Sequence, residues 1–367
     1  MSQRDSGDGP DREAEVLDRI ERFRSRRPRF GDEVITLAHG AGGKASAALI
    51  DGLFLEAFGT ANSGRSQADA ARLVPTLGHH LAFTTDAFVV NPTRFPGGSI
   101  GHLAVHGTVN DLAVIGAVPR WLSVSFVLEE GLSVADLRHV AEDMAAAAAD
   151  AAVAIVTGDT KVVDRGSADG LFITTAGIGE IPEGRILDAG QVRAGDVVLV
   201  SGSIADHGMA VMLARGDLAL RADIRSDTAS VASLVSDVLD AAPGTRWMRD
   251  PTRGGVATVC NELARDCGLG VVIDEAALPV KPEVVGACDL LGIDPLYVAN
   301  EGKVVVVLPA DEADAALATM RVHPEGLDAT CIGEIVDDPV SIVVLRTAFG
   351  STRIVDMLVG DPLPRIC

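Results

Sequence analysis

Two kinds of hydrophobic spacing alternate along most of the chain. Apolar, β-prone runs at 34–37, 81–85, 121–128, 154–157 and 171–178 predict strands. Segments 46–58, 99–115 and 133–149 carry the three-to-four-residue apolar spacing of helices. Ser133 and Asp136 form an S-x-x-D helix start, and Val134, Leu137, Val140 and Met144 follow on one face. A second series places strands at 197–201, 271–274, 303–308, 330–335 and 341–345, with helices at 206–214, 228–240, 254–266 and 312–320. Two α/β halves of roughly 150 residues are expected, divided as 34–181 and 182–349. Residues 1–33 mix Arg with Asp and Glu among few apolar positions and read as a disordered extension. Residues 350–367 have little periodicity, contain Pro362 and Pro364, and read as a mobile tail.

Composition narrows the class. The chain has 367 residues, 47% of them hydrophobic but only 4% aromatic, so a core of Ala, Val, Leu and Ile is expected. The formal charge of −21 repels phosphate backbones and anionic bilayers, which argues against nucleic-acid and membrane partners. It leaves nucleotides open, because carboxylates hold Mg²⁺ and Mg²⁺ holds phosphates. No stretch predicts a membrane span or a signal peptide. The five cysteines are sparse, odd in number and without CxxC spacing, as expected of a reduced, cytoplasmic chain.

Several short motifs carry possible chemistry. His39-Gly40-Ala41-Gly42-Gly43-Lys44 lies between a predicted strand and a helix, where backbone N–H groups can approach an anion. It is no Walker A loop, since Ala38 and Ala45 stand where Gly and Ser/Thr belong, and an ordinary glycine turn is the plainer reading. Asp86 follows Thr84-Thr85 at the end of one strand, and Asp159 follows another in Gly158-Asp159-Thr160-Lys161; carboxyl ends of strands are where α/β folds bind ligands. His102, His106 and Asn110 recur every four residues on an apolar helix, with Asp111 adjoining, so this stripe must meet water, a ligand or another subunit. The histidines have metal-ligand spacing without the Glu of H-E-x-x-H, which favours satisfied buried histidines over zinc. Asp250 and Thr252 in Arg249-Asp250-Pro251-Thr252-Arg253-Gly254-Gly255 read as helix caps, and Glu301 as a turn carboxylate before an apolar strand. The last residue, Cys367, carries its own α-carboxylate, which raises a thiol pKa, with Arg365 partly offsetting it. An arm from Gly350 would span up to about 58 Å, enough to carry that sulfur between sites.

Together HGAGGK, TTDAFVV, FPGGSIGHLAVHGTVNDLAV, GDTKVV, DPTRGG, NEGK and the terminal PRIC resemble the HypE family of hydrogenase maturation factors, over roughly residues 35–367. The separate motifs are shared with the wider superfamily of aminoimidazole ribonucleotide synthetase and selenophosphate synthetase; the terminal Pro-Arg-Ile-Cys is the specific part. The resemblance implies a two-domain fold of that superfamily, with an ATP-binding N-terminal domain carrying a dimerising sheet, a C-terminal α/β domain and a flexible tail. It implies an ATP- and Mg²⁺-dependent carbamoyl dehydratase that turns an S-carbamoyl group on Cys367 into a thiocyanate, loaded by the carbamoyltransferase HypF and delivered to iron on a HypC–HypD complex. It implies metal ligation by Asp86, Asp111, Asp159 and, more weakly, Asp250. Nucleotide contacts would come from Gly40, Gly42, Gly43, Lys44, Asn110 and Thr160, charge neutralisation from Lys161 and a general base from Glu301. The alternatives are another synthetase or kinase of the superfamily, against which Ala41 stands where selenophosphate synthetases commonly carry a reactive Cys or selenocysteine, and a non-catalytic dimeric scaffold.

Overall fold

The computed structural model describes residues 31–40, 44–58, 75–216, 222–357 and 365–367. The predicted extension, Gly42 and Gly43, and part of the tail lie outside the described residues. The first half is a four-stranded sheet in the order β1-β6-β4-β5, built from β1 (His80–Phe88), β4 (Val118–Glu129), β5 (Ala154–Val163) and β6 (Leu171–Ile181). Only β4 and β5 run parallel. The second half is a seven-stranded sheet in the order β13-β12-β9-β11-β7-β10-β8. Its strands are β7 (Asp196–Val200), β8 (Trp247–Arg249), β9 (Gly270–Asp274), β10 (Val305–Pro309), β11 (Thr330–Val336), β12 (Val343–Arg346) and β13 (Thr352–Ile354). A two-stranded ribbon joins β2 (Arg94–Phe95) to β3 (Gly98–Ser99).

Helices α1 (Lys44–Leu49) and α2 (Leu55–Phe58) precede the first sheet, and α3 (Ile100–Val114) and α4 (Val134–Asp150) cover one of its faces. The second half carries α5 (Asp206–Ala214), α6 (Ala232–Ala241), α7 (Gly255–Cys267), α8 (Pro282–Leu291) and α9 (Ala313–Met320). All these elements alternate much as the hydrophobic spacing predicts, and the S-x-x-D start is real: the Ser133 hydroxyl accepts the Asp136 N–H at 3.4 Å.

Helix α3 is the keystone. It is apolar nearly all round and buries thirteen of its fifteen residues, which marks an element packed on every side. One side lies on the first sheet, where Leu103, Val105 and Val109 join Val124, Phe126 and Ile173 in one core. Its far end, at Ala113 and Val114, packs with Leu199, Val235 and Val306 of the second half. The polar stripe is therefore answered within the same chain. Asn110 donates both amide hydrogens, to the carbonyls of Ala229 (3.0 Å) and Glu301 (3.3 Å), and accepts the Val231 N–H at 2.8 Å. His106 Nδ1 meets the Thr228 hydroxyl at 3.2 Å. Burial pushes the His106 pKa down to about 3, so it is a neutral core histidine.

Three expectations need correction. Residues 34–37 do not form a strand; Val34 makes one bridge to Ser133 and the chain turns at once into a 3-10 turn, Leu37–Gly40. The helix expected at 46–58 is interrupted by a π turn, Ile50–Phe54, with Gly52 inside it. Strand β5 continues through Asp159 to Val163, because β4 is long enough to pair with all of it, so Asp159 is inside a strand and not at its end. Strand β1 is an edge strand with one open face, where Leu81 and Phe83 are 58% and 70% exposed.

Replacing Asn110 by Ala strands one buried N–H and two carbonyls at the junction of the halves. A loss of about 1–3 kcal/mol in unfolding free energy is expected, measured by urea titration; an unchanged midpoint would show that the junction does not depend on this amide.

Candidate active site

The acids predicted from separate motifs converge where α3 meets the second half. Asp86, near the end of β1, accepts the Ala87 N–H at 2.7 Å. Its approach to α3 requires Gly107: a Cβ there would lie 3.0 Å from the Phe88 ring and 3.6 Å from Asp86 Oδ2. Asp111, on α3, accepts the Thr84 hydroxyl at 2.9 Å. Asp250 follows β8 and is buried; it is no cap, since α7 begins after Gly254 at φ 79° with no side-chain cap. Glu301 is buried beside them in the turn before β10. Two amides set that turn. Asn110 holds the Glu301 carbonyl, and Asn300 receives the Ala205 N–H (2.8 Å) and donates to the carbonyls of Pro251 (2.9 Å) and Val298 (3.1 Å).

Charge crowding is the site's main property. Burial raises the pKa of Asp86 and of Asp111, the latter also through Asp86. Asp250 is pushed up to about 7 by burial, then by Asp111. Glu301 is raised well above the usual carboxylate range by burial, then by Asp227, Asp250, Asp86 and Asp111. Its Oε1 is buried without a hydrogen-bond partner. Such a set of hard oxygens suits a divalent cation by chemistry and charge. Among the described residues, no three His, Cys, Asp or Glu side chains stand close enough together to hold a metal, so these acids would have to draw together around one.

The end of the chain is docked at this cluster. Cys367 is mostly buried, and Arg253 donates to its sulfur at 3.4 Å. The thiol pKa is pushed up to about 11 by burial, then by the Glu301 charge, with Arg253 opposing. The docked thiol is therefore protonated at neutral pH.

The other predicted residues lie elsewhere. Asp86 aligns with Thr175, Val124 and Gly158 across the sheet, which puts Asp159 three strands away, about 14 Å. Side-chain alternation also places Asp159 and Lys161 on the open face, opposite α3. These two pair with each other, Nζ to Oδ2 at 2.8 Å. They rim a cavity of about 260 Å³ between β5 and α1–α2, lined also by His39, Phe54, Phe126 and Thr160. Gly40 ends the turn beside it and Lys44 opens α1. The predicted site thus falls into two separate halves within this chain: acids and thiol at one junction, and Asp159, Thr160 and Lys161 near the start of the glycine-rich segment. Asn110 belongs to neither, since both its donors are used in the clamp. Sequence reasoning quoted Arg253 and Asn300 inside motifs without giving them a task, and passed over Asp227; no spacing rule marks a residue whose partner is a hundred positions away.

The two halves match the models for AIR synthase related proteins, the N-terminal domain over residues 67–181 and the C-terminal domain over 193–346. Fold and site thus define a two-domain protein of the AIR synthase class. The chain is 56% identical over 340 residues to the carbamoyl dehydratase HypE of Rhodobacter capsulatus, covering 92% of this chain and 99% of that protein. A crystal structure of the hydrogenase maturation protein HypE in complex with ATP superposes with a TM-score of 0.85 at 45% identity, over 90% of this chain and 99% of the other. A HypE–HypF complex gives 0.74 at 45% identity, over 83% and 99%. The chain belongs to the carbamoyl dehydratase HypE family. All five cysteines are free thiols, and among the described residues no helix is long and apolar enough to cross a membrane.

The raised acids link stability to pH. Asp250 is raised from 3.8 to about 7 in the folded chain. Its contribution to stability is full below 3.8 and lost as pH rises through about 7. The metal-free protein should therefore melt at lower temperature at pH 8 than at pH 5, and Asp250→Asn should flatten that slope; a melting curve of unchanged slope in the variant would remove Asp250 from this role.

Proposed function

We propose that this chain is an ATP-dependent carbamoyl dehydratase acting on its own terminal cysteine. The observation that carries the reading is the sulfur of Cys367 docked against Arg253 and within the charge field of Glu301 and Asp86. HypF would load the carbamoyl group with the tail released, and the loaded sulfur would return to this position. ATP then phosphorylates the amide oxygen, which converts a poor leaving group into phosphate. Glu301 accepts protons from the amide nitrogen, since a carboxylate with a raised pKa is a stronger base. As phosphate leaves, the carbon–nitrogen bond becomes triple, and the products are the S-cyano group, ADP, phosphate and a proton. Asp86, Asp111 and Asp250 would hold Mg²⁺, which would supply neutralisation of phosphate charge when bound. The cyano group would pass to iron on a HypC–HypD complex.

A homodimer would unite the half-sites. Leu81, Phe83, Asp159 and Lys161 share the open face of the first sheet. An exposed apolar patch of this kind marks an interface, and one protomer's Lys161 and Thr160 would then serve its partner's acids. Gly40, Gly42, Gly43 and Lys44 would close over the nucleotide phosphates.

Incubation with HypF, carbamoyl phosphate and ATP should add a carbamoyl group to Cys367, and the adduct should lose one water only with Mg²⁺–ATP. Cys367→Ala should block the adduct; Asp86→Asn should allow it and block the water loss. An adduct on Cys260 or Cys331 would end the terminal-thiol mechanism. Separately, a mixture of Asp86→Asn and Lys161→Ala proteins, each inactive alone, should regain activity through mixed dimers that carry one intact site. Failure of the mixture, with dimers present by sedimentation, would place both residues in one protomer's site.

A further inference from the structure

The last three residues are gripped more fully than their place at a chain terminus requires. All three of their carbonyl positions are captured. The terminal oxygen of Cys367 accepts the Val89 N–H at 3.2 Å, and the Arg365 carbonyl accepts the Asn91 N–H at 3.2 Å, so the end of the tail lies strand-like along residues 89–91. The Ile366 carbonyl accepts from His207 Nε2 at 2.6 Å. A carbonyl only accepts, so Nε2 carries the hydrogen and Nδ1 accepts from Ser226, 2.8 Å away. His207 is fully buried, with Phe95 edge-on at 5.4 Å, and burial lowers its pKa. The Arg365 carbonyl takes a second bond, from Arg215 at 2.6 Å, and the same guanidinium bonds the Asn91 carbonyl at 2.8 Å.

Side chains complete the grip. Arg365 donates to the Val89 carbonyl at 3.0 Å and to Asp169 at 2.5 Å. Ile366 is 2% exposed and enters a core cluster to which both halves contribute. Arg365 sits at φ 56°, a left-handed conformation costly for a side-chain-bearing residue. That kink lets Ile366 and Cys367 point into different environments. Asp169 comes from the first half and His207 and Arg215 from the second, so this receptor, like the acid cluster, is assembled at the junction of the halves.

We propose that Asp169, His207 and Arg215 are positioning residues for the terminal cysteine: they form a receptor for the last three residues that sets the balance between a docked sulfur, competent for dehydration, and a released one, competent for loading. None of them touches the reacting atoms; they act through the backbone of the tail. The catalytic consequence rests on the dehydratase reading above, whereas the grip itself does not. Weakening the receptor should move the two half-reactions in opposite directions, faster loading by HypF and slower water loss. A merely structural contact would slow both or neither.

The direct test uses the full chain and a small probe. Alkylation of Cys367 by iodoacetamide, followed by mass measurement of the C-terminal peptide, reads how often the sulfur leaves the site. Asp169→Asn and Arg215→Gln should each speed it by about tenfold or more, since each removes a charge-assisted bond. Arg215→Lys, which keeps one cationic donor, should recover part of the protection. Cys260 is fully buried, so its labelling reports unfolding; should Arg215→Gln unfold, Asp169→Asn, at the exposed rim, carries the test. Rates within about twofold of the parent in folded variants would overturn the receptor. So would faster alkylation accompanied by unchanged water loss from the preloaded tail in an active parent. If the parent itself shows no water loss, the dehydratase reading falls, and the alkylation rates still decide for or against the grip.

Discussion

Several carboxyl groups gathered at one junction, away from bulk water, are the constraint on which the rest of this structure depends. Burial raises the pKa of Asp86, Asp111, Asp250 and Glu301; Asp86 adds to the shift of Asp111, Asp111 and Asp86 to that of Asp250, and all three to that of Glu301. A chain would not tolerate that crowding for stability alone, because each group favours losing its charge. On the proposed mechanism the balancing charge would be Mg²⁺ arriving with the nucleotide. The scaffold must then be rigid enough to hold the acids together in its absence. Helix α3 meets this need: it is buried on all sides, anchors Asp111 directly, gives β1 room at Gly107, and clamps the Glu301 turn through Asn110.

The same field governs the sulfur. A thiol next to Glu301 with a pKa near 11 is a poor nucleophile at neutral pH. The docked thiol is thus unsuited to acquiring a group from a partner. On the proposed mechanism loading and dehydration have contrary electrostatic needs, and the one sulfur of Cys367 would meet them at different places.

Much of this was legible in the sequence. Alternating periodicities gave both sheets' main strands, and the resemblance named Asp86, Asp111, Asp250, Glu301 and Cys367 before geometry brought them together. What sequence spacing could not give was which face or which end of an element a residue occupies. Gly158-Asp159 reads as a strand end because Gly and Asp disfavour strands, yet pairing with the long β4 overrides that preference and carries β5 on to Val163. Short elements were also lost: β8 has three residues, and α8 begins at Pro282 with a weakly amphipathic face. Sequence spacing does not separate the clamp of Asn110 from a ligand contact, since a buried amide facing another half of the same chain and one facing a ligand have the same signature.

The two half-sites give the argument its last step. Within one protomer, Lys161 has no path to the acid junction: it is on the opposite face and about 14 Å across a hydrogen-bonded sheet. Bending a four-stranded sheet to close that gap would break its core, in which Val124, Phe126 and Ile173 are almost fully buried. Rigid cores do not deform continuously, so on the proposed mechanism Lys161 would reach an acid cluster only as part of a second copy. The open face that carries Lys161 also carries Leu81 and Phe83, the apolar surface a second copy would cover. In the proposed dimer, dimerisation and phosphate chemistry would be one requirement, met by one face of one sheet, and a substitution that unsettles the contact at Phe83 would act on the nucleotide without touching it.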